Sequence, residues 1–433
     1  MTAGVLDVLI AGKLAGALSQ DGAGSLFFAY ERGYRGVPLS SSMPLSTRPY
    51  RDKVVLPYLW GLLPEDPAAR RHVAADAGIS PNNPFALLGV IGLDCPGAVQ
   101  FVPQGSSACR DERLVAVSDA EIARRLAAGR QDGAGWIASN EHWSLGGQQS
   151  KFALRRMDGR WYSCEGSAAT THILKSGVRG LAHQALNEYV CMRLATSLDV
   201  PAASVEYLEF EGESGVEPAI AIERYDRLVE GGSVTRLHQE DLCQALGCLP
   251  DNKYTMYGGP NCAEVLGLLT STGPTAQANA AGFLQMLFLN YLLAGTDAHA
   301  KNYSIMLAAD GLHRLAPMYD VASIAPPYVE GAKLKVKPPK LAMSIGGENR
   351  AGRVSANDLA KLVEQCGLER FGITAEGCRD LLALYAEEIP GKLAQEFDAL
   401  EKTGSADAAR ELRGRMEEAI AQLCARSLKG LGS

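Results

Sequence analysis

Apolar and polar positions alternate near the start of the chain and group at helical spacing towards its end, and this change of period organises the sequence. "VLDVLIAG" (5–12) and "SLFFAY" (25–30) read as strands around the turn signal "QDGAG". Helical segments follow at "VVLPYLWGLLP" (54–64) and around "NNPFALLG" (82–89). Residues 1–105 form one unit, and 106–143, polar and mixed with an amphipathic "DAEIARRLAAG", read as a connecting segment. From 144 to 230 the pattern is strand-rich. "FALRRMDGRWYSCEG" predicts a hairpin at Asp158-Gly159, "THILK" a short strand, and "ASVEYLEF" and "PAIAIERYD" two more. Between them Leu186, Val190, Leu194 and Leu198 recur every four residues, one face of a helix. Residues 231–433 read as mostly helical. Ser355 with Asp358 marks a helix start, Thr374 with Gly377 a weaker one, and the periodic stretch 378–427 is interrupted at Pro390.

Composition narrows the class. With 433 residues, 47% hydrophobic and 21% charged, the chain is an ordinary globular protein with room for more than one domain. A net charge of −7 excludes a chain that binds nucleic acid through its overall charge. Ten cysteines without a C-x-x-C pair argue against a zinc knuckle and a disulfide framework and for reduced thiols in the cytoplasm. The first residues lack the basic start of a secretory signal. The most apolar run, "FLQMLFLNYLLAG" (283–295), is short and broken by Gln285 and Asn290, so it is a core helix and no membrane span is expected.

The candidate chemistry lies just after that helix, in "GTDAHAKN" (295–302) and "APMYD" (316–320). Phosphoryl transfer from a magnesium nucleotide needs a carboxylate facing the attacking hydroxyl and hard oxygen ligands for the metal. Asp297 and Asn302, five apart, with Asp320 eighteen further on, fit base and metal-ligand roles in that order. "LHRLAPMYD" reads as the strand that delivers Asp320. Upstream, Lys175 ends "THILK" and Glu188 follows in the helix, the positions of a phosphate-binding lysine and its ion-pair glutamate. "SLGGQQSK" (144–151) opens the first hairpin, with adjacent glycines whose backbone can cradle phosphates. Each fragment alone is also an ordinary turn, cap or surface residue; the order of the parts carries the reading.

Together "SLGGQQSK", "THILK" (171–175), "NEY" (187–189), "ERYDR" (223–227), "QED" (239–241), "TDAHAKN" (296–302) and "PMYD" (317–320) resemble the motifs of the HipA family of toxin kinases. "PLSSSMPL" (38–45) and "NPFALLGVIGLDCPGAVQFVP" (83–103) resemble its N-terminal subdomain. The resemblance implies an α+β, two-lobed protein-kinase-like fold with an N-terminal α/β subdomain and a mostly helical C-lobe. It implies ATP and Mg2+ as cofactors, Asp297 as catalytic base, and Asn302 and Asp320 on the metal. Nucleotide contacts would come from Gly146, Gly147, Gln148, Gln149, Ser150 and Lys151 of the phosphate loop, and from Lys175. Glu223, Arg224, Tyr225 and Asp226 at the hinge, Gln239, His299, Ala300, Lys301 and Tyr319 would complete them. Ser144 matches the serine on which members of the family phosphorylate themselves as an off-switch. The implied partners are a HipB-like helix-turn-helix antitoxin, DNA mainly through that antitoxin, and a protein substrate such as glutamyl-tRNA synthetase. The loop reads Gly-Gly-Gln-Gln where Gly-Ala-Gln is usual in the family, and Ser150 stands in place of the common Glu or Pro. Lys333, Lys335, Lys337 and Lys340 make a basic stretch after Asp320 that suits either a substrate contact or a solvated loop. Other readings of the same residues are a nucleotide-binding corepressor with decayed catalysis, a small-molecule phosphotransferase, and a metal-dependent hydrolase on Asp297, His299 and Asp320.

Overall fold

The early alternation closes into an antiparallel five-stranded sheet. Its order is Tyr50–Arg51, Leu26–Tyr30, Lys13–Gln20, Gly4–Ile10 and Val99–Pro103. The strand Lys13–Gln20 lies between the two read from the sequence. Its pattern is diluted by Gly16, where a Cβ would stand 2.2 Å from the carbonyl of Ala29. The helices Asp52–Leu62, Pro67–Ala77 and Pro84–Ile91 follow. The last two start at Asp66 and Asn83, whose side chains accept the first free amides, each with proline next in line. Val8, Phe28, Leu59, Leu87 and Phe101 meet in this core. The computed structural model describes residues 4–106, 112–130, 141–177, 181–213, 215–325 and 339–432.

A second sheet runs Val205–Gly212, Gly215–Glu223, His172–Lys175, Lys151–Met157, Arg160–Gly166, Glu112–Val117. Asp158 and Gly159 both have positive φ, 50° and 74°, and make the tight hairpin expected there. Residues 112–130 do not run free between domains. Glu112–Val117 pairs with Arg160–Gly166 as the sheet's edge, and the helix Asp119–Arg130 buries Ile122 and Leu126 beside Phe152 and Leu154. Arg125 of that helix forms a buried two-pronged bond to Glu141, which also accepts from Trp143 Nε1 and Ser163 Oγ. Polarity in this stretch serves an internal ion pair, which hydrophobic patterning does not reveal.

The chain divides into two compact units: Met1–Arg179 with Leu208–Asp251 and Ser304–His313, and Gly180–Tyr207 with Asn252–Tyr303 and Arg314–Ser433. Both sheets belong to the first, the second sheet from Leu208 onwards in its outermost strand. The second unit is built on the helix Ala375–Leu400, packed by Gln184–Ser197, Ala276–Leu292, Ala356–Cys366 and Ala406–Leu431. Ser355 and Asp358 form a reciprocal capping box, and Thr374 caps Ala375–Leu400 by accepting from Gly377 N. Pro390 does not interrupt that helix. A proline forfeits one backbone bond, but Leu382, Tyr385, Ile389, Leu393 and Phe397 are buried on both sides of it and hold the helix continuous. Among the described residues no helix is long and apolar enough to cross a membrane.

Candidate active site

In the first unit the loop 144–150 is seated from both ends. Ser144 is fully buried, its hydroxyl donating to the Leu62 carbonyl and its amide to that of Asp94, 3.1 Å away. Gly147 accepts from Glu65 N at 3.0 Å and has a φ of +103°, open to glycine alone without strain. A Cβ there would stand 2.6 Å from Lys151 Nζ, so the missing side chain lets the amine lie against the loop. Gln149 donates to the Ser176 carbonyl at 2.8 Å and braces the loop on the end of the neighbouring strand. Gln148 is exposed, with Gly146 and Ser150 half-buried beside it. Lys151 and Lys175 are register partners across the ladder, and Lys175 is 3% exposed.

"ERYDR" divides its labour. Tyr225 donates to Gln239 Oε1 at 3.0 Å, bringing together two expected nucleotide residues. The side chains of Arg224, Asp226 and Arg227 turn inward instead. With Arg236 they surround Asp94, which accepts from Arg224 at 3.2 Å, Arg227 at 2.9 Å and Arg236 at 3.0 Å. Burial pushes the Asp94 carboxyl up, but Arg227, Arg224 and Arg236 outweigh it and hold the group well below the usual carboxylate range. Asp226 is likewise buried yet held down by Arg224 and Arg227, and its Oδ2 accepts from Gly97 N at 2.6 Å. This charge cluster is structural. This agrees with the resemblance, which implies that the backbone of Glu223 to Tyr225, not the side chains, would meet the nucleotide; the Arg224 amide donates to the Thr171 carbonyl. Glu223 stands exposed at the end of its strand.

In the second unit Asp297 to Asn302 form a self-tied loop at the end of the helix Ala276–Leu292. The Asp297 carbonyl accepts from His299 N at 2.7 Å and from Asn302 Nδ2 at 2.8 Å. The Asp297 carboxylate is 70% exposed, while His299 is buried beneath it with Nε2 3.6 Å from Oδ1. Ala300 and Lys301 are buried. Tyr319 donates to the Lys301 carbonyl at 2.9 Å, which places Asp320 one residue from a direct tie to this loop. The strand expected to deliver Asp320 stops at Leu315. Residues 316–318 are held instead by single contacts, Met318 N to Pro201 O at 2.8 Å and Ala203 N to Met318 O at 2.9 Å. Asp320 itself has φ of +57°, a left-handed conformation that Asp tolerates and that clusters at functional sites.

These residues fit magnesium. Asn302 spends its amide NH2 on Asp297, which turns its oxygen the other way as a hard donor, and Asp320 adds a carboxylate. Among the described residues no group of three or more His, Cys, Asp or Glu could hold a metal ion. One carboxylate and one amide suit an ion that keeps most of its ligands on phosphates and water.

Two residues escaped the sequence reading. Asn187, in "NEY", grips the segment after Asp320 in both directions, donating to Ser323 O at 2.7 Å and accepting from Ser323 N at 3.1 Å. Its neighbour Glu188 is 1% exposed, not a surface acid. Tyr254, to which no sequence motif pointed, donates to Asp297 Oδ1. Lys333, Lys335 and Lys337 lie outside the described residues; Lys340 is exposed at the start of the strand Lys340–Ile345.

The structure matches, with a TM-score of 0.81 and 26% identity, that of HipA from Shewanella oneidensis solved with HipB and operator DNA, covering 98% of this chain and 97% of that one. The fold is thus α+β and kinase-like. Family models for the HipA-like C-terminal domain and the HipA N-terminal domain match residues 143–422 and 6–102. The serine/threonine-protein kinase toxin HipA of Shewanella oneidensis is 30% identical over 411 residues, covering 90% of this chain and 88% of that protein. Y4mE of Sinorhizobium fredii, a protein designated a kinase by its name, is 34% identical over 388 residues, covering 85% of this chain and 87% of that protein. The chain belongs to the HipA family.

Proposed function

We propose that this chain is a serine/threonine protein kinase that moves the γ-phosphoryl group of ATP to a serine of a target protein and thereby arrests growth. The observation that supports this reading is the tie between the Asp297–Asn302 loop and the Tyr319–Asp320 segment: Asn302 donates to the Asp297 carbonyl and Tyr319 to that of Lys301. Asp297 takes the proton of the acceptor hydroxyl as its oxygen bonds to the γ-phosphorus and the bridging oxygen leaves with ADP. Lys151, Lys175 and the amides of 146–150 neutralise the phosphates. Asn302 and Asp320 would hold magnesium, which would supply charge neutralisation to the phosphates.

The target we favour is an aminoacyl-tRNA synthetase of the cytoplasm, so that the outcome is inhibited translation and persistence. Family membership, and the Shewanella protein's presence in a complex with HipB and operator DNA, support a helix-turn-helix antitoxin as partner and shared repression of the operon. A net charge of −7 favours an antitoxin that supplies most of the DNA affinity. Autophosphorylation at Ser144 as off-switch requires that hydroxyl to leave the Leu62 carbonyl, which would unseat the loop.

The test is labelled ATP with magnesium and a host lysate, comparing the chain with Asp297→Asn. Loss of the base lowers transfer by about 10²–10⁴. Undiminished labelling by the variant removes Asp297 from the mechanism; identifying the labelled band names the target.

A further inference from the structure

An exposed carboxylate swings among rotamers, yet a general base must hold one direction. The exposed Asp297 carboxylate is met by a phenol whose own position is built. Tyr254 directs its hydroxyl to Oδ1, and its ring stands edge-on to buried His299, centroids 4.8 Å apart at 86°. Tyr257 packs edge-on to the same ring at 6.2 Å. Backbone bonds close the turn beneath it: the Tyr254 carbonyl accepts from Tyr257 N at 2.9 Å and Gly259 N at 3.0 Å. Gly259 is obligatory there, since a Cβ would stand 1.9 Å from the Asn252 carbonyl. Thr255 Oγ1 ties the turn to Pro260 O at 2.9 Å. His299 Nε2, 3.6 Å from the same oxygen, lies beyond hydrogen-bond reach and shapes the pocket for the ring instead.

We propose that Tyr254 is a positioning residue: its hydroxyl fixes the rotamer of Asp297. The proposal rests on Asp297 being the general base.

The experiment uses the full chain with ATP and magnesium and reads both self-labelling and ADP release. Tyr254→Phe keeps the ring against His299 and Tyr257 and removes only the hydroxyl. The expected result is a kcat lower by about tenfold, the scale of one charge-assisted hydrogen bond. KM for ATP should stay within about twofold, so that the loss falls on kcat. Tyr254→Ala should match Tyr254→Phe in kcat if the hydroxyl is what matters. Full activity in Tyr254→Phe with loss only in Tyr254→Ala would reduce the residue to packing and overturn the proposal. Activation by Tyr254→Phe would overturn it as well, since the bond would then restrain the base. Absence of turnover in the unsubstituted chain is a different failure: it withdraws the kinase reading, and this proposal with it.

Discussion

Replacing Glu240 by Gln should change how stability depends on pH, and the size follows from its surroundings. Glu240 is wholly buried on the strand Gln239–Asp241, its carboxylate accepting from Ser40 Oγ at 2.5 Å and Ser41 N at 2.7 Å. Burial pushes the carboxyl up from 4.5 to about 7, despite those donors. An acid raised on folding gives stability that is fully present below its unfolded value and is lost as pH rises through the folded one. The loss between pH 4.5 and 7 amounts to about 3 kcal/mol. Two residues earlier His238 does the opposite. It accepts from Ala98 N at 3.2 Å, donates to the Leu39 carbonyl at 3.0 Å, and is lowered by burial from 6.5 to about 4. Its contribution is present above 6.5 and lost as pH falls through about 4. The two slopes oppose each other over nearly the same window, so the parent chain masks both. Glu240→Gln removes one and should gain about 3 kcal/mol relative to the parent between pH 4.5 and 7. Guanidinium unfolding followed by tryptophan fluorescence is a suitable assay, because Trp60, Trp143 and Trp161 belong to the unit that holds Glu240. A stability difference that stays constant within about 0.5 kcal/mol across that range would refute the reasoning, for it would mean that Ser40 and Ser41 keep the carboxylate ionised.

Asp94→Asn should destabilise the first unit by about 3–5 kcal/mol, because it leaves Arg224, Arg227 and Arg236 buried around a neutral group; a denaturant midpoint unchanged from the parent's would speak against the cluster as a structural core. Asn187→Ala should lower ATP turnover by at least about tenfold, an estimate from losing two buried hydrogen bonds, while circular dichroism stays that of the parent. Full turnover would show that the segment after Asp320 holds its place without the bonds to Ser323.

Legibility in this sequence followed the distance over which each requirement acts. The closure of the Asp297–Asn302 loop is local because its parts are neighbours: Asn302 reaches the Asp297 carbonyl, and five residues is the spacing at which it does. The hairpin at Asp158-Gly159 and the capping box at Ser355 are local in the same sense. "ERYDR" was recognisable as a string, yet the roles of its charges were not, because their partner Asp94 lies some 130 residues earlier. "PLSSSMPL" and "QED" likewise looked like two motifs. They form one contact, with Leu39 on His238 and Ser40 and Ser41 on Glu240. Pro390 shows the converse, a strong local signal overruled by packing that only the folded chain supplies. Motif residues thus serve two masters, and the sequence alone does not separate them. Buried Arg224 and Asp226 sit beside Tyr225 in one string, but their side chains build the scaffold while Tyr225 turns to Gln239. Recurrence of such a string across a family therefore says that each residue is needed and not what it touches, and the partner has to be found before a role is assigned.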